Sequence, residues 1–169
     1  MIDSYQQYIQ GDKVILPYGI TEIESGAFWG CSAITSIEIP NSVIQIGDRA
    51  FGDCTGLTSI EIPNSVTEIG KNAFSYCSGL TSIRVMTANS SFISIGNCLL
   101  NKAGTLLLNG CKNSVIPKGV TQIGDSAFRG CTGLTSIEIP NSVTEIGGYA
   151  FSGCTGLTSI EIPNSVTRI

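Results

Sequence analysis

Apolar and polar residues follow the same order repeatedly along this chain, with a period of 23 residues. Residues 46–68 read IGDRAFGDCTGLTSIEIPNSVTE and residues 146–168 read IGGYAFSGCTGLTSIEIPNSVTR. Further copies begin at Ile23, Ile69 and Ile123, so the chain holds five standard units. Self-similarity at a period of this length is typical of solenoids, in which each unit is one supersecondary element stacked on the next.

Each unit contains a segment L-T-S-I-E-I-P whose end alternates apolar and polar side chains, which predicts a short half-buried strand. Pro-Asn-Ser then ends the strand and turns the chain, because proline donates no hydrogen bond to a sheet. The segment I-G-x-x-A-F-x-x-C is expected to form a compact helical or 3₁₀ turn. The residues expected in the core are represented by Leu57, Ile60, Ile62, Val66, Ile69, Ala73, Phe74 and Cys77.

One unit cannot bury its apolar face alone, so the units must stack, pair their strands and merge their cores. The sequence therefore predicts a single solenoid over residues 14–169, of α/β type but mostly β strands with short turns, in about seven coils. Residues 92–122 form an irregular unit with two apolar runs around residues 101–104, which predicts a β-hairpin insertion. Residues 1–13 do not repeat and are expected to cap or extend the first coil.

The pattern C-x-x-L-x-x-I-x-I-P…V-x-x-I-x-x-x-A-F recurs five times with small departures and covers the chain from about residue 14. In this pattern the chain resembles the BspA-like leucine-rich repeat family, also called the Treponema pallidum type. The resemblance implies a right-handed leucine-rich repeat superhelix, and the irregular unit is similar to a hairpin variant of these repeats. Most members are secreted or surface-anchored, and several are implicated in adhesion, so the resemblance implies an extracellular or cell-surface location.

Composition narrows the chemistry further. The net charge is −4 with nine Lys and Arg residues that do not cluster, which argues against a nucleic-acid partner. No apolar run approaches the ~20 residues of a membrane-spanning helix. Residues 1–10 lack the basic and apolar regions of a signal peptide, so either the protein stays in the cytosol or an export signal lies outside this chain. The chain has no histidine, which removes histidine-dependent catalysis and histidine-containing zinc sites.

Five of the seven cysteines share one repeat position, so stacking should place them in a column. Neighbours about 5 Å apart would lie within disulfide range or could hold a metal. The sequence favours a third interpretation, small buried apolar residues whose S–H groups donate to backbone carbonyls, because the local C-x-x-C pairs typical of structural zinc are missing. We therefore expect no metal and no cofactor. Cys98 and Cys111 flank the hairpin, and the sequence leaves open whether a disulfide joins them.

A second column lies on the outward strand positions. Glu61 and Glu138 occupy one equivalent position, and Arg84 replaces glutamate there in the intervening unit. Carboxylates near 5 Å apart would suit a retaining glycosidase, but an open strand face has no pocket to raise a pKa or exclude water. With Thr58 and Ser59 the column forms an acidic, hydroxyl-rich ribbon, which is either a ligand surface or a solvated face.

The units differ most from one another at the third, fourth, seventh and eighth positions. These positions hold Trp29, Arg49, Asp53, Tyr76 and Arg129, and exposed Trp and Tyr beside Arg is the chemistry of binding hot spots. The competing interpretation is neutral drift on a solvated edge, since single exposed aromatic residues are common.

A solenoid normally ends in an atypical polar unit that covers its last core layer. This sequence stops at residues 167–169 within the pattern. That predicts either that the chain is part of a longer protein or that it forms a homodimer through this C-terminal end.

Together these observations predict a non-enzymatic recognition or adhesion module that binds a protein or a glycan. The first alternative is a structural spacer within a larger surface protein. The second alternative is a carbohydrate-active enzyme that uses the stacked glutamates.

Overall fold

A computed structural model describes residues 3–169 and shows a β-solenoid of about six turns with almost no helix. The predicted repeat fold is confirmed. One helical turn, α1 (Asp3–Gln6), precedes the strands. The strands are β1 (Ile9–Gln10), β2 (Lys13–Ile15), β3 (Glu22–Ile23), β4 (Ser36–Glu38), β5 (Gln45–Ile46), β6 (Ser59–Ile62), β7 (Glu68–Ile69), β8 (Ser82–Val85), β9 (Phe92–Ile95), β10 (Cys98–Asn101), β11 (Leu106–Asn109), β12 (Gln122–Ile123) and β13 (Glu145–Ile146).

Two parallel ladders run along the first half of the solenoid. One pairs β2 with β4 and β6 with β8, and the other runs β3–β5–β7. The register in each standard pair equals the repeat length, so Ile60 lies opposite Ile83 and Glu61 opposite Arg84. Every side chain therefore stacks on its own equivalent. The alternation predicted for L-T-S-I-E-I is confirmed in β6, where Ile60 and Ile62 are buried.

The core is built from columns of identical residues. The rings of Phe28, Phe51 and Phe74 stack nearly parallel, with centroids 5.4 and 5.6 Å apart. Tyr5 packs edge-on against Phe28 at 5.3 Å, and its hydroxyl accepts a hydrogen bond from the Glu24 amide. The first phenylalanine of the column is thus covered from the N-terminal side.

The segments I-G-x-x-A-F-x-x-C form consecutive turns closed by hydrogen bonds between residues three apart. In the second unit, Gly52 N donates to Arg49 O at 2.9 Å and Cys54 N to Phe51 O at 3.2 Å. These turns do not continue into a helix because Arg49 and Asp53 have positive φ, which breaks the run of helical dihedrals.

The irregular unit contains the predicted hairpin. Strands β10 and β11 pair antiparallel across the turn at residues 102–105, and β11 then continues as the parallel partner of β12. The structure adds a second hairpin that the sequence did not predict, since β9 and β10 also pair antiparallel around Gly96 and Asn97. Strands β9 to β11 thus form an antiparallel meander inserted between parallel ladders.

The solenoid has about six turns, against the seven expected, because the irregular unit adds no complete turn segment. Tyr76 N donates directly to Arg129 O at 2.9 Å, so the turn segments on either side of the insertion touch. Gly110 lies against the Phe128 ring, where a standard unit would place another phenylalanine. The buried residues accordingly divide into two clusters, one N-terminal and one C-terminal.

The last two standard units differ from the sequence expectation. Residues 134–139 and 157–162 repeat the L-T-S-I-E-I of β6, yet no strand forms there within the described residues. The irregular unit has five residues between Cys111 and Pro117 where a standard unit has eight, and the residues it lacks are those of this strand. The ladder is interrupted at that point, and grooves of about 890 and 740 Å³ separate the segments that follow.

Asn89 marks the start of the insertion, and it occupies the position where the preceding units have Val43 and Val66. The side chain is fully buried. Its amide donates to Pro63 O at 2.7 Å and Val66 O at 2.9 Å, while Oδ1 accepts from the amides of Ser91 and Phe92. The sequence N-S-S at residues 89–91 also fits the acceptor pattern for N-glycosylation, but Asn89 is buried and therefore inaccessible to glycosylation in the folded chain.

We expect Asn89→Ala to lower the free energy of unfolding by about 2–3 kcal/mol, because it leaves buried backbone donors and acceptors without partners. Urea unfolding followed by circular dichroism measures the change. Asn41→Ala, at an exposed turn, is the matched control and should change stability by less than about 0.5 kcal/mol. Equal effects of the two substitutions would contradict this account of Asn89.

Candidate functional site

The fourth and eighth residues of every standard unit adopt left-handed backbone. The eighth residue is glycine in three units, Gly30, Gly130 and Gly153. In the second and third units it is Asp53 and Tyr76, with φ of 60° and 62°. At the fourth position only the first unit has glycine. The other fourth-position residues are Arg49 (φ 54°), Asn72 (58°), Ser126 (57°) and Tyr149 (58°).

Left-handed backbone costs a residue with a Cβ about 1–2 kcal/mol, somewhat less for Asn and Asp. Glycine at equivalent positions avoids that cost, so Arg49 and Tyr76 occupy positions whose backbone conformation favours glycine. Strain of this kind concentrates at functional sites, and an observed outlier supports a hypothesis of function. Four of the strained residues, Arg49, Asp53, Asn72 and Tyr76, line a single groove.

We call this groove the variable-edge groove. It has a volume of about 310 Å³ and is formed by three successive units and the neighbouring unit beyond the insertion. A shallower depression of about 540 Å³ continues from it past Asp48 and Lys71. The lining residues are Trp29, Arg49, Gly52, Asp53, Asn72, Ser75, Tyr76 and Arg129.

Trp29 forms one wall of the variable-edge groove. Its indole lies directly over Gly52, where an added Cβ would come within 2.9 Å of indole Cδ1. Glycine at this seventh position therefore lets the ring rest on the backbone of the next unit. Trp29 remains 56% exposed, so much of the ring is open to solvent.

Arg129 forms the opposite end. Its guanidinium carbon lies 5.3 Å from the ring centroids of both Tyr76 and Tyr149. Arg129 Nε also donates to the Tyr76 hydroxyl at 3.2 Å. The two tyrosines hold the arginine by cation–π contacts, and together with the Tyr76 N–Arg129 O bond they connect the two halves of the solenoid.

The charges in the variable-edge groove are not neutralised internally. Across residues 3–169, the one ion pair that forms is Arg168–Glu145, outside the groove. Arg49 and Asp53 therefore present charged groups without an ion-pair partner from the described part of the chain. Ser75 Oγ donates to Asn72 Oδ1 at 3.2 Å, which leaves the Asn72 N–H₂ group for other contacts.

The structure brings five sequence-predicted residues together in this groove: Trp29, Arg49, Asp53, Tyr76 and Arg129. Gly52 and Ser75 were not predicted. The signal for them was the seventh repeat position, where a large residue in one unit, Trp29, is followed by small ones in the next two. The contact between Tyr76 and Arg129, 53 residues apart, follows from the missing turn segment and has no sequence signal.

The strand-face candidates are not assembled in the same way. Glu61 and Arg84 lie side by side in the β6–β8 ladder, next to exposed Ser59. Thr58 Oγ1 donates to Thr35 O at 3.2 Å, so this hydroxyl already serves the ladder. Glu138 lies beyond the insertion on a segment without a strand. The continuous acidic ribbon expected from the sequence is therefore interrupted.

The repeat cysteines donate hydrogen bonds to the preceding unit. Cys54 Sγ lies 3.0 Å from Phe28 O, Cys77 Sγ 3.0 Å from Phe51 O, and Cys154 Sγ 3.0 Å from Phe128 O. All seven cysteines are free thiols, Cys98 and Cys111 included. Within residues 3–169 no three His, Cys, Asp or Glu side chains are grouped as metal ligands. Among the same residues, no helix has the length and apolar character needed to span a membrane.

Burial raises the pKa of every cysteine thiol, to about 12 for Cys77 and about 11 for Cys98. We expect iodoacetamide at pH 8 to leave the six buried thiols of the native protein unmodified, because burial shields each sulfur and raises its pKa. For Cys77, a pKa of about 12 leaves about one thiolate in ten thousand at pH 8. Cys31 alone is partly exposed, and it is the only thiol that should react. Mass spectrometry of peptides labelled before and after urea unfolding checks this, and rapid native labelling of Cys54 or Cys77 would contradict it.

At position 49, the glycine variant of the protein should be more stable than the alanine variant, which is the reverse of the usual order. Arg49→Gly relieves left-handed backbone strain that Arg49→Ala retains. We therefore expect the free energy of unfolding of the glycine variant to exceed that of the alanine variant by about 1 kcal/mol. The control is neighbouring Lys71, whose φ is not positive. There the Lys71→Ala variant should be at least as stable as Lys71→Gly. Urea unfolding of the four variants measures both differences, and the same order at both sites would refute the strain argument.

The sequence matches the family model described as "BspA type Leucine rich repeat region", in six copies over residues 3–107 and 105–169. Comparison with curated proteins gives no significant match. Solved structures do match. A leucine-rich cell surface protein from Faecalibacterium prausnitzii is 33% identical with a TM-score of 0.75, and the match covers 94% of this chain and 49% of that one.

The pneumococcal vaccine antigen PcpA is 25% identical with a TM-score of 0.82, over 92% of this chain and 40% of that one. A leucine-rich repeat protein from Bacteroides ovatus is 29% identical with a TM-score of 0.53, over 92% of this chain and 44% of that one. This chain thus spans half or less of the length of these three proteins.

Proposed function

Because the chain belongs to the BspA-type leucine-rich repeat family, we propose that it is a non-enzymatic recognition module whose ligand binds in the variable-edge groove. The observation that carries the proposal is the convergence of Trp29, Arg49, Asp53 and Tyr76 on one groove. The sequence of each unit could place glycine or a small residue at these positions, as other units do. Three of the four side chains are instead held on left-handed backbone.

The lining suits recognition better than chemistry. A partly exposed indole, an aromatic phenol and unpaired charges at close quarters are the groups that provide affinity and orientation in binding sites. Catalysis by the glutamate column receives no comparable support, because Glu61 lies on an open sheet and Glu138 on a different, unpaired segment. The ligand class that fits is a protein or a glycan.

We place the protein at the cell surface or outside the cell. One similar structure is described as a cell surface protein and another as a vaccine antigen, a description that suits an exposed location. A spacer role within a longer surface protein would need no groove of this composition. It is the alternative that the binding experiment below would support if no ligand is found.

We expect Trp29→Ala to weaken binding at least tenfold, because it removes the largest exposed aromatic surface of the groove. The measurement is biolayer interferometry of the purified chain against a panel of immobilised extracellular-matrix proteins and a glycan array. Tyr18→Ala is the matched control, since Tyr18 is exposed and does not line the groove. It should bind like the wild type.

Circular dichroism and urea unfolding must show that both variants remain folded. Saturable binding that Trp29→Ala and Tyr18→Ala reduce equally would overturn the assignment to the variable-edge groove. Absence of saturable binding to every member of the panel would overturn the recognition role and favour the spacer.

A further inference from the structure

The variable-edge groove has a flat apolar wall with polar groups beside it. The Trp29 indole is supported by the Gly52 backbone and remains 56% exposed. A supported, half-open aromatic face is complementary to the apolar C–H face of a pyranose ring, which is flat, rigid and bordered by hydroxyl groups. A long aliphatic or aromatic peptide side chain would instead require a deeper apolar pocket than one lined by Arg49, Asp53, Asn72 and Ser75.

The polar groups of the groove can both accept a hydrogen bond from a hydroxyl group and donate one to it. The Asp53 carboxylate accepts hydrogen bonds, and the Asn72 N–H₂ group donates them. Both residues lie on left-handed backbone within the same groove as the indole. Neighbouring donors and acceptors beside an aromatic wall are what vicinal hydroxyls of a sugar require.

The charge of the groove narrows the class of saccharide that fits it. The groove is lined by two arginines, Arg49 and Arg129, and by one carboxylate, Asp53, so it carries a positive surplus in a chain whose net charge is −4. Arg129 is already held by Tyr76 and Tyr149. Arg49 has no ion-pair partner within residues 3–169, and a guanidinium fork pairs with a carboxylate through two parallel hydrogen bonds.

We propose that the variable-edge groove binds a carboxylated saccharide, with the pyranose ring on Trp29 and the carboxylate on Arg49. The inference rests on the proposed function and names its ligand class. Asp53 and Asn72 bind ring hydroxyls in this arrangement. Asp53 also disfavours phosphate monoesters, which carry close to two negative charges at neutral pH, because a like charge beside the anion opposes their binding.

The position of Trp29 makes the test direct, since the chain contains a single tryptophan. We would titrate the wild type with 3′-sialyllactose and with trigalacturonate, following tryptophan fluorescence, and use lactose and maltotriose as neutral counterparts. Isothermal calorimetry confirms each affinity. We expect one or both acidic saccharides to bind at least tenfold more tightly than their neutral counterparts, and their affinity to fall as the salt concentration rises.

The two acidic probes separate the sources of the carboxylate. Preference for 3′-sialyllactose indicates a terminal sialic acid, and preference for trigalacturonate indicates a uronic acid polymer. Arg49→Gln should reduce the affinity for the preferred acid about tenfold or more and leave the weak binding of the neutral sugar unchanged. Lys118→Gln removes one exposed positive charge outside the groove and should leave both affinities unchanged.

Equal affinity for acidic and neutral saccharides, or equal losses in Arg49→Gln and Lys118→Gln, would overturn the role of the carboxylate. If no saccharide binds but a matrix protein still binds in a Trp29-dependent manner, the ligand class is wrong and the recognition role stands. If neither binds, both proposals fail.

Discussion

The whole structure depends on a register that equals the repeat length. Because the paired strands of the standard units align residues 23 positions apart, phenylalanine stacks on phenylalanine, and Cys54, Cys77 and Cys154 each donate to a carbonyl of the previous unit. Short strands of two to four residues would not be stable alone. Their stability comes from columns that continue through many units, in which one unit provides the surface on which the next is built.

Much of this architecture could be predicted from the sequence because a repeated contact leaves a repeated residue. The buried Phe51 and Cys54 and the outward Ser59 all follow from periodicity. The candidate groove could be predicted only as a set of positions that vary. Its shape depends on Gly52 beneath Trp29 and on the contact between Tyr76 and Arg129, and neither contact recurs to leave a pattern.

The segment T-S-I-E-I shows why local sequence alone was insufficient. It forms a strand at Ser59–Ile62, where β8 pairs with it, and no strand at residues 136–139, where the irregular unit lacks the matching residues. β-propensity is thus realised only when a partner strand is in place. An insertion in one unit thus removes the sheet pairing of an identical sequence in the next.

The buried core is divided at the insertion into two clusters. Arg129, held between Tyr76 and Tyr149, lies where the two clusters meet, beside the backbone hydrogen bond from Tyr76 N to Arg129 O. The variable-edge groove takes Trp29, Arg49 and Asp53 from one side and Arg129 from the other. A ligand that contacts both sides therefore reads the placement of one core cluster relative to the other, and its affinity is coupled to that placement.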